Sequence, residues 1–298
     1  HRRQVSWDLL RKIINDPQFA KSIGTVFLEL PSNQQKEFDR FYANKKLDTE
    51  IILNILRSEQ IYGWWDKGEY EFLVDLWHIN QKLPKKERIR VIGADEQPNY
   101  QSMHTPEELD IYMRTSEDRN VHMANTIERV IKSKTDKRNN LFIVGYMHAY
   151  KAEVPTNYPE YNGEEPKFSA GVELSRRFSK KDVFAVFQHS PRMNNSGNLY
   201  GELRGGLFDT VFAKLGNKPI AFNLHNSPFG AEPFDGDEEL SQDYRTGSFE
   251  NNFDGYIFLG PLKDELGDYV LYELWSDEFV QELERRFALM NTSVKDWY

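Results

Sequence analysis

The chain of 298 residues contains no cysteine. That single absence excludes disulfide staples, zinc–thiolate centres and a cysteine nucleophile, although it does not choose a compartment. Long hydrophobic runs are missing too, and without a stretch of about 18 apolar residues no membrane-crossing helix is expected. No leader peptide is visible, which leaves a cytoplasmic protein and one exported after loss of a leader outside this chain equally open. Basic residues are in deficit, with 38 Lys and Arg against 47 Asp and Glu and a formal charge of −9. There is therefore no surplus of cations to neutralise a phosphate backbone, and nucleic acid is not an expected partner. Neither a Gly-x-Ser-x-Gly elbow nor a His-Glu-x-x-His helix occurs, which argues against an ordinary serine esterase and against the common zinc peptidase pattern.

What the chain does have is material for a large core. Hydrophobic residues make up 39% and aromatic residues 14%, so most rings are expected in a packed interior and a few in a ring-lined cleft. Residues 5–17 place Val5, Leu9 and Ile13 at helical spacing before Pro17, which predicts an amphipathic helix. Gly24–Leu30, stopped by Pro31, is a short apolar run of β-formers, the pattern of a strand covered on both faces. Residues 32–85 read as a helical segment opened by a capping box at Ser32 and Gln35. Strand signals return at Arg88–Ile92 and Leu141–Val144, with a helix over 116–135 between them. Further on, the pattern predicts a helix near 169–179, strands at Val183–Phe187, 219–223 and 256–259, and a closing helix at 276–289. Gly-, Asn- and Pro-rich stretches at 190–206 and 226–252 read as long loops. Alternating strand and helix predicts one α/β domain over 1–298, a mostly parallel central sheet flanked by helices with a helical insertion, whose ligands would sit at the carboxyl ends of the strands.

Three polar residues fall at those ends. Glu29 closes an otherwise apolar strand, where a lone carboxylate is costly unless it is paired, used or reaches solvent. Asp95 ends Val91-Ile92-Gly93-Ala94, and His148 follows a strand and a glycine turn, where an imidazole can serve as acid, base or metal ligand. Arg119 opens the helix between these strands and either pairs with a carboxylate, makes an ordinary helix ion pair or holds an oxyanion. Acid and imidazole groups gathered on one sheet edge are what an active-site crevice requires. Tyr146, Tyr150 and His225 are candidate substrate contacts at the same level; His78, His104, His122 and His189 read as structural or exposed.

Two linked segments carry a resemblance. Arg119-Asn-Val-His-Met-Ala-Asn-Thr-Ile127, and Phe142-Ile-Val-Gly-Tyr-Met-His148-Ala149 after it, resemble the erythromycin esterase family's Arg-Asp-x-x-Met-Ala-x-Asn-Ile helix and the strand ending in its Ala-His-Asn-x-His. Phe27-Leu-Glu29-Leu, Val91-Ile-Gly-Ala-Asp95, Gly171-Val-Glu-Leu174 and Phe253-Asp-Gly-Tyr-Ile-Phe258 extend the likeness over most of the chain. Asn120 stands where the family has an aspartate, and Gly145-Tyr146-Met147 where it has Ala-His-Asn, so macrolide specificity is not implied. In the family a Gly-Glu-x-x-His-Gly motif precedes the first helix. His1 is at the right distance to be its histidine, which places the motif's strand and glutamate before the chain begins; the other reading is a terminal or tag residue.

The resemblance implies a hydrolase in which His1 or His148 takes a proton from water, Glu29 orients that imidazole or water, and Arg119 steadies the charge developing on a carbonyl substrate. No cofactor is required by that reading. A divalent metal held by His1, Glu29 and His148 remains open, as does a small-ligand or haem-binding role for the same crevice, since the wider superfamily includes haem-uptake lipoproteins and Gly-x-x-His metallopeptidases. A small molecule is the expected partner; the oligomeric state is open.

Overall fold

Val26, Phe27, Leu28 and Leu30 are buried because the strand that carries them, β1 (Ile23–Pro31), has a parallel neighbour on each side. The computed structural model describes residues 4–59, 66–155, 165–193, 199–234, 247–262, 270–293 and 295. Strands β2 (Arg90–Asp95) and β3 (Asn139–Ile143) flank β1 in the order β2-β1-β3. Val26 aligns with Val91 on one side and with Leu141 on the other. The register of β1 against β2 shifts between Leu28 and Pro31, so that Pro31 faces Asp95. Gly93 makes this close approach possible: a Cβ there would lie 2.6 Å from the Pro31 carbonyl oxygen and 2.9 Å from that of Leu30.

Around this sheet the helices follow the apolar periodicity closely. α1 (Gln4–Ile14) ends before Pro17, and Pro17 then starts a second short helix, α2 (Pro17–Ser22), whose first turn is capped by Asp16. The segment after β1 contains α3 (Gln35–Ala43), α4 (Thr49–Arg57) and α5 (Lys67–Lys82). The expected capping box at Ser32 does not form. Ser32–Gln34 is a 3-10 turn without a side-chain cap. Gln35, at the head of α3, instead turns its amide onto β2, donating to the Val91 carbonyl at 3.0 Å and accepting from the Gly93 N–H at 3.2 Å. A side chain thus satisfies backbone groups that a further strand would otherwise take. α6 (Pro106–Thr115) does carry a capping box, from Thr105 and Glu108. α7 (Arg119–Ser133) begins where Asp118 accepts from the N–H groups of Asn120 and Val121. Phe38, Phe41, Ile52, Leu56, Phe72 and Leu76 form the heart of the core, joined by Phe279 and Leu283 of the closing helix Asp277–Leu289.

By density of internal contacts, residues 1–143 and 267–298 make one unit and residues 144–266 another. The second unit contains α8 (Tyr146–Ala149), α9 (Ala170–Arg177), β4 (Val186–Gln188), β5 (Arg192–Met193), β6 (Leu199–Tyr200), α10 (Leu207–Lys214), β7 (Ile220–Asn223) and β8 (Gly255–Phe258). Its main sheet has the order β4-β8-β7, with β4 parallel and β7 antiparallel to β8; β5 and β6 form a separate ribbon. Its core is almost wholly aromatic, with Phe187, Phe208, Phe212, Phe249, Tyr256 and Phe258 among the buried rings.

The chain is therefore a mixed α/β protein, and the expectation of a mostly parallel central sheet holds in part. Among the described residues only β2-β1-β3 is a fully parallel sheet, and the later strands β4, β7 and β8 make a small mixed sheet of their own. Alternation of helix and strand encodes element type, not the partner or direction of each strand. The long-loop readings also change: the described parts of 190–206 and 226–252 contain the β5–β6 ribbon, a 3-10 turn at Leu203–Gly206 and short helices at Pro228–Ala231 and Phe249–Asn252. Residues 194–198 and 235–246 lie outside the described residues.

Replacing Gly93 by alanine would push a methyl group into the backbone of β1, and such overpacking typically costs about 1–3 kcal/mol. Urea denaturation of Gly93→Ala should show a loss of that size at an unchanged slope; a loss within error would mean that the strand ends separate easily.

Candidate functional site

Burying a carboxylate without a counter-charge is unfavourable, and two strand ends here each bury one. Glu29 lies near the end of β1 and Asp95 at the end of β2, with side chains 8% and 0% exposed. The compensating charge comes from Arg119, placed at the first position of α7 by the Asp118 cap. Its Nε donates to Asp95 Oδ1 at 3.0 Å and its Nη2 to Asp95 Oδ2 at 2.5 Å, a bidentate pair, and Nη2 also meets Glu29 Oε1 at 3.1 Å. Gln97 Nε2 adds a hydrogen bond to Asp95 Oδ2 at 3.0 Å. Burial works against the guanidinium charge, but the hydrogen bond and charge of Asp95, with those of Glu29, outweigh it and hold the Arg119 pKa above its ordinary value. The Arg119 side chain is still 37% exposed. Its third nitrogen, Nη1, makes no hydrogen bond to the described residues. The arrangement is a fixed cation whose Nη1, with its two N–H groups, is left for an anion or a polarised carbonyl oxygen.

Three further acids lie in the same unit and were not singled out in the sequence. Glu59 follows α4, Asp66 precedes α5, and Glu69 is in the first turn of α5; all are buried. Burial first, and then the charges of Glu69, Glu29, Asp95 and Asp66, push the Glu59 carboxyl well above the usual carboxylate range. Burial, with Asp66 and Glu29, does the same to Glu69. Glu59 is 3% exposed, and its Oε2 has no hydrogen-bond partner among the described residues. The sequence carried a signal for Glu69: it shares a helical stripe with Phe72, Leu73, Leu76 and Asn80, where an acid is out of place. Among the described residues, no group of three or more His, Asp or Glu side chains is disposed to hold a metal ion.

The other sequence candidates lie in the second unit or outside the described residues. His1 lies outside the described residues. His148, Tyr146 and Tyr150 belong to the second unit, on α8 or just after it, and the His148 N–H donates to the Gly145 carbonyl at 2.9 Å. Tyr150 is buried in the aromatic core, its ring centroid 6.3 Å from that of Tyr146. His225, also in the second unit, places Nε2 2.9 Å from Asp254 Oδ1. Asp254 is held in turn by Lys151 Nζ at 2.8 and 2.7 Å and by the Ala185 N–H at 2.7 Å. Burial opposes its charge, but the hydrogen bonds from Lys151 and His225 and that from Ala185 leave the Asp254 pKa below its ordinary value. His189 is fully buried between Tyr256 and Asp209, as a structural histidine would be. His122 is different: read from sequence as structural or exposed, it has two acidic neighbours, Glu96 and Glu117.

No protein-family model matches the chain, and no curated protein sequence matches it. Among solved structures, an erythromycin esterase, a mutant of EreC in its open conformation, superposes with a TM-score of 0.54 at 11% identity, covering 88% of this chain and 88% of that one. The fold is erythromycin esterase-like. A succinoglycan biosynthesis protein shares it with a TM-score of 0.50 at 9% identity, over 86% of this chain and 83% of the other. Two differently described proteins on one fold show that the fold does not by itself name a substrate.

The raised carboxyls have a consequence for stability. A carboxyl whose folded pKa lies above its unfolded value, about 4.3 for Glu, stabilises the folded state fully below that value, and the contribution is lost as pH rises toward the folded pKa. Glu59→Gln/Glu69→Gln should therefore lose less stability than the unaltered chain between pH 5 and pH 9 in thermal melts. Parallel curves would show that these acids ionise as freely as exposed ones.

Proposed function

We propose that the chain is a hydrolase of the erythromycin esterase type, in which an imidazole and a glutamate activate water for attack on an ester or related carbonyl carbon. The observation that carries the reading is the Arg119 guanidinium, fixed by Asp95 and Glu29 at the carboxyl edge of a parallel sheet with Nη1 still free.

Attack of water on a carbonyl carbon moves negative charge onto the carbonyl oxygen. A donor already locked in place stabilises that oxygen without reorganising at the moment of reaction, an effect worth about 10²–10³-fold in rate per donor. Arg119 fits that requirement because Nε and Nη2 are spent on holding it still, while Nη1 makes no hydrogen bond to the described residues. Glu29 in this scheme secures the arginine as well as orienting the imidazole or the water. Of the histidines, His1 and His148 are the two that the family resemblance offers as general base, a role typically worth about 10²–10⁴-fold. The fold likeness to an erythromycin esterase supports the same class of reaction.

Lysine at position 119 would keep the positive charge but lose the planar fork that grips Asp95. On a panel of p-nitrophenyl esters and lactones assayed with chelator present, at a temperature where circular dichroism shows the variant folded, Arg119→Lys should lower kcat/KM by about 10²–10³-fold, with a lower melting temperature because the buried Asp95 loses its two parallel hydrogen bonds. Hydrolysis at the unaltered rate would remove Arg119 from the mechanism.

A further inference from the structure

The same three chain segments that supply Glu29, Asp95 and Arg119 supply a second set of side chains one to three residues further on. Ser32 follows β1, Glu96 follows Asp95, and His122 lies one helical turn beyond Arg119 on α7. His122 Nε2 is 2.9 Å from Ser32 Oγ. On the other side of the ring, Nδ1 is 3.2 Å from Glu117 Oε2 in hydrogen-bond geometry and 3.1 Å from Glu96 Oε2.

Those two acids settle the tautomer. An ionised carboxylate can only accept, so the nitrogen facing both Glu117 and Glu96 must carry the proton. In the neutral ring Nε2 is then an unprotonated acceptor, and the Ser32 hydroxyl is its donor. The carboxylates are themselves held: Asn125 Nδ2 donates to Glu117 Oε1 at 2.5 Å, and Tyr112 Oη donates to Glu96 Oε1 at 2.8 Å. Burial, and then the Glu96 hydrogen bond, raise the Tyr112 pKa, which keeps that hydroxyl a donor. The imidazole side chain is 21% exposed, and Ser32 is half-buried rather than sealed. Ser32 also makes no helix cap, the usual structural task of a serine at such a position.

We infer that Ser32 and His122 form a nucleophilic pair, with Glu117 and Glu96 as positioning residues, able to take an acyl group from an ester. This goes beyond the hydrolase reading above, which uses water as nucleophile and does not need Ser32. In the step itself, Ser32 Oγ bonds to the acyl carbon while its proton passes to His122 Nε2. The ester C–O bond breaks, and the leaving alcohol takes the proton from His122. Water, deprotonated by the same nitrogen, then cleaves the acyl-serine to the acid and regenerates Ser32. Nucleophile, base and orienting acid are related here as in other serine hydrolases, recognisable by geometry where sequence order gives no motif.

A fluorophosphonate probe tests this without a known substrate, since attack by Ser32 expels fluoride and leaves a stable adduct. Incubation of the full chain, followed by peptide mass spectrometry, should place one adduct on Ser32. The labelling rate should fall by about 10²–10⁴-fold in His122→Gln. Glu96→Gln/Glu117→Gln should lower the maximal labelling rate while leaving the probe concentration for half-maximal rate unchanged, a split that a merely structural defect would not give. Circular dichroism of each variant checks folding. An unlabelled Ser32 in the folded chain, or labelling that is indifferent to His122→Gln, overturns the inference and leaves the water-based hydrolase reading standing.

Discussion

A guanidinium held between carboxylates from two different strands is the constraint on which the parallel-sheet unit is organised. Asp95 is entirely buried, and an ionised carboxylate in that position is tolerable only because Arg119 meets it with two parallel hydrogen bonds. To deliver that guanidinium, α7 must start at residue 119, which the Asp118 cap ensures, and β1 and β2 must end side by side, which the bare backbone of Gly93 permits. One cation does not balance all the acid nearby. Glu59 and Glu69 therefore retain protons to higher pH than exposed glutamates do, because burial and the surrounding negative charge both oppose their ionisation.

The second unit answers the same difficulty with different residues. Asp254 is surrounded by the Lys151 ammonium, the Ala185 N–H and the His225 ring, so that a carboxylate just before β8 anchors the loop after α8, the start of β4 and the end of β7 together. His225 is more than half exposed, which makes it the wet end of that network. Beside it the aromatic core relies on edge and stacked ring contacts, such as Phe212 on Phe258 at 3.9 Å between centroids. Tyr150 belongs to that interior; its ring is core material, whatever its neighbour Tyr146 contributes.

Chemically, the parallel-sheet unit presents two layers at one edge. The inner layer, Glu29, Asp95 and Arg119, is charged and suited to stabilising an anion; the outer layer, Ser32, Glu96, Glu117 and His122, is suited to moving a proton. Both arise because a parallel sheet brings its carboxyl ends together with the start of the next helix, the place where open α/β sheets gather ligands.

Much of this was legible from local patterns. Apolar periodicity located α1, local pattern marked 32–85 as helical and placed helices over 116–135 and 276–289, the apolar run before Pro31 located β1, and an acid at the end of such a run marked Glu29 and Asp95 as residues needing a reason. Those signals are local, and so the sequence by itself determined which segments are helix or strand and which buried acids demand a partner. Partnership was another matter. Arg119 reaches Glu29 across 90 positions, and Ser32 reaches His122 across the same separation. No spacing rule covers such distances, which is why His122 looked isolated and the Ser32 hydroxyl looked like a helix cap. Strand direction was hidden for the same reason: whether β7 runs with or against β8 depends on the path of the chain between them, and only the tertiary structure, by closing those long loops, decided it.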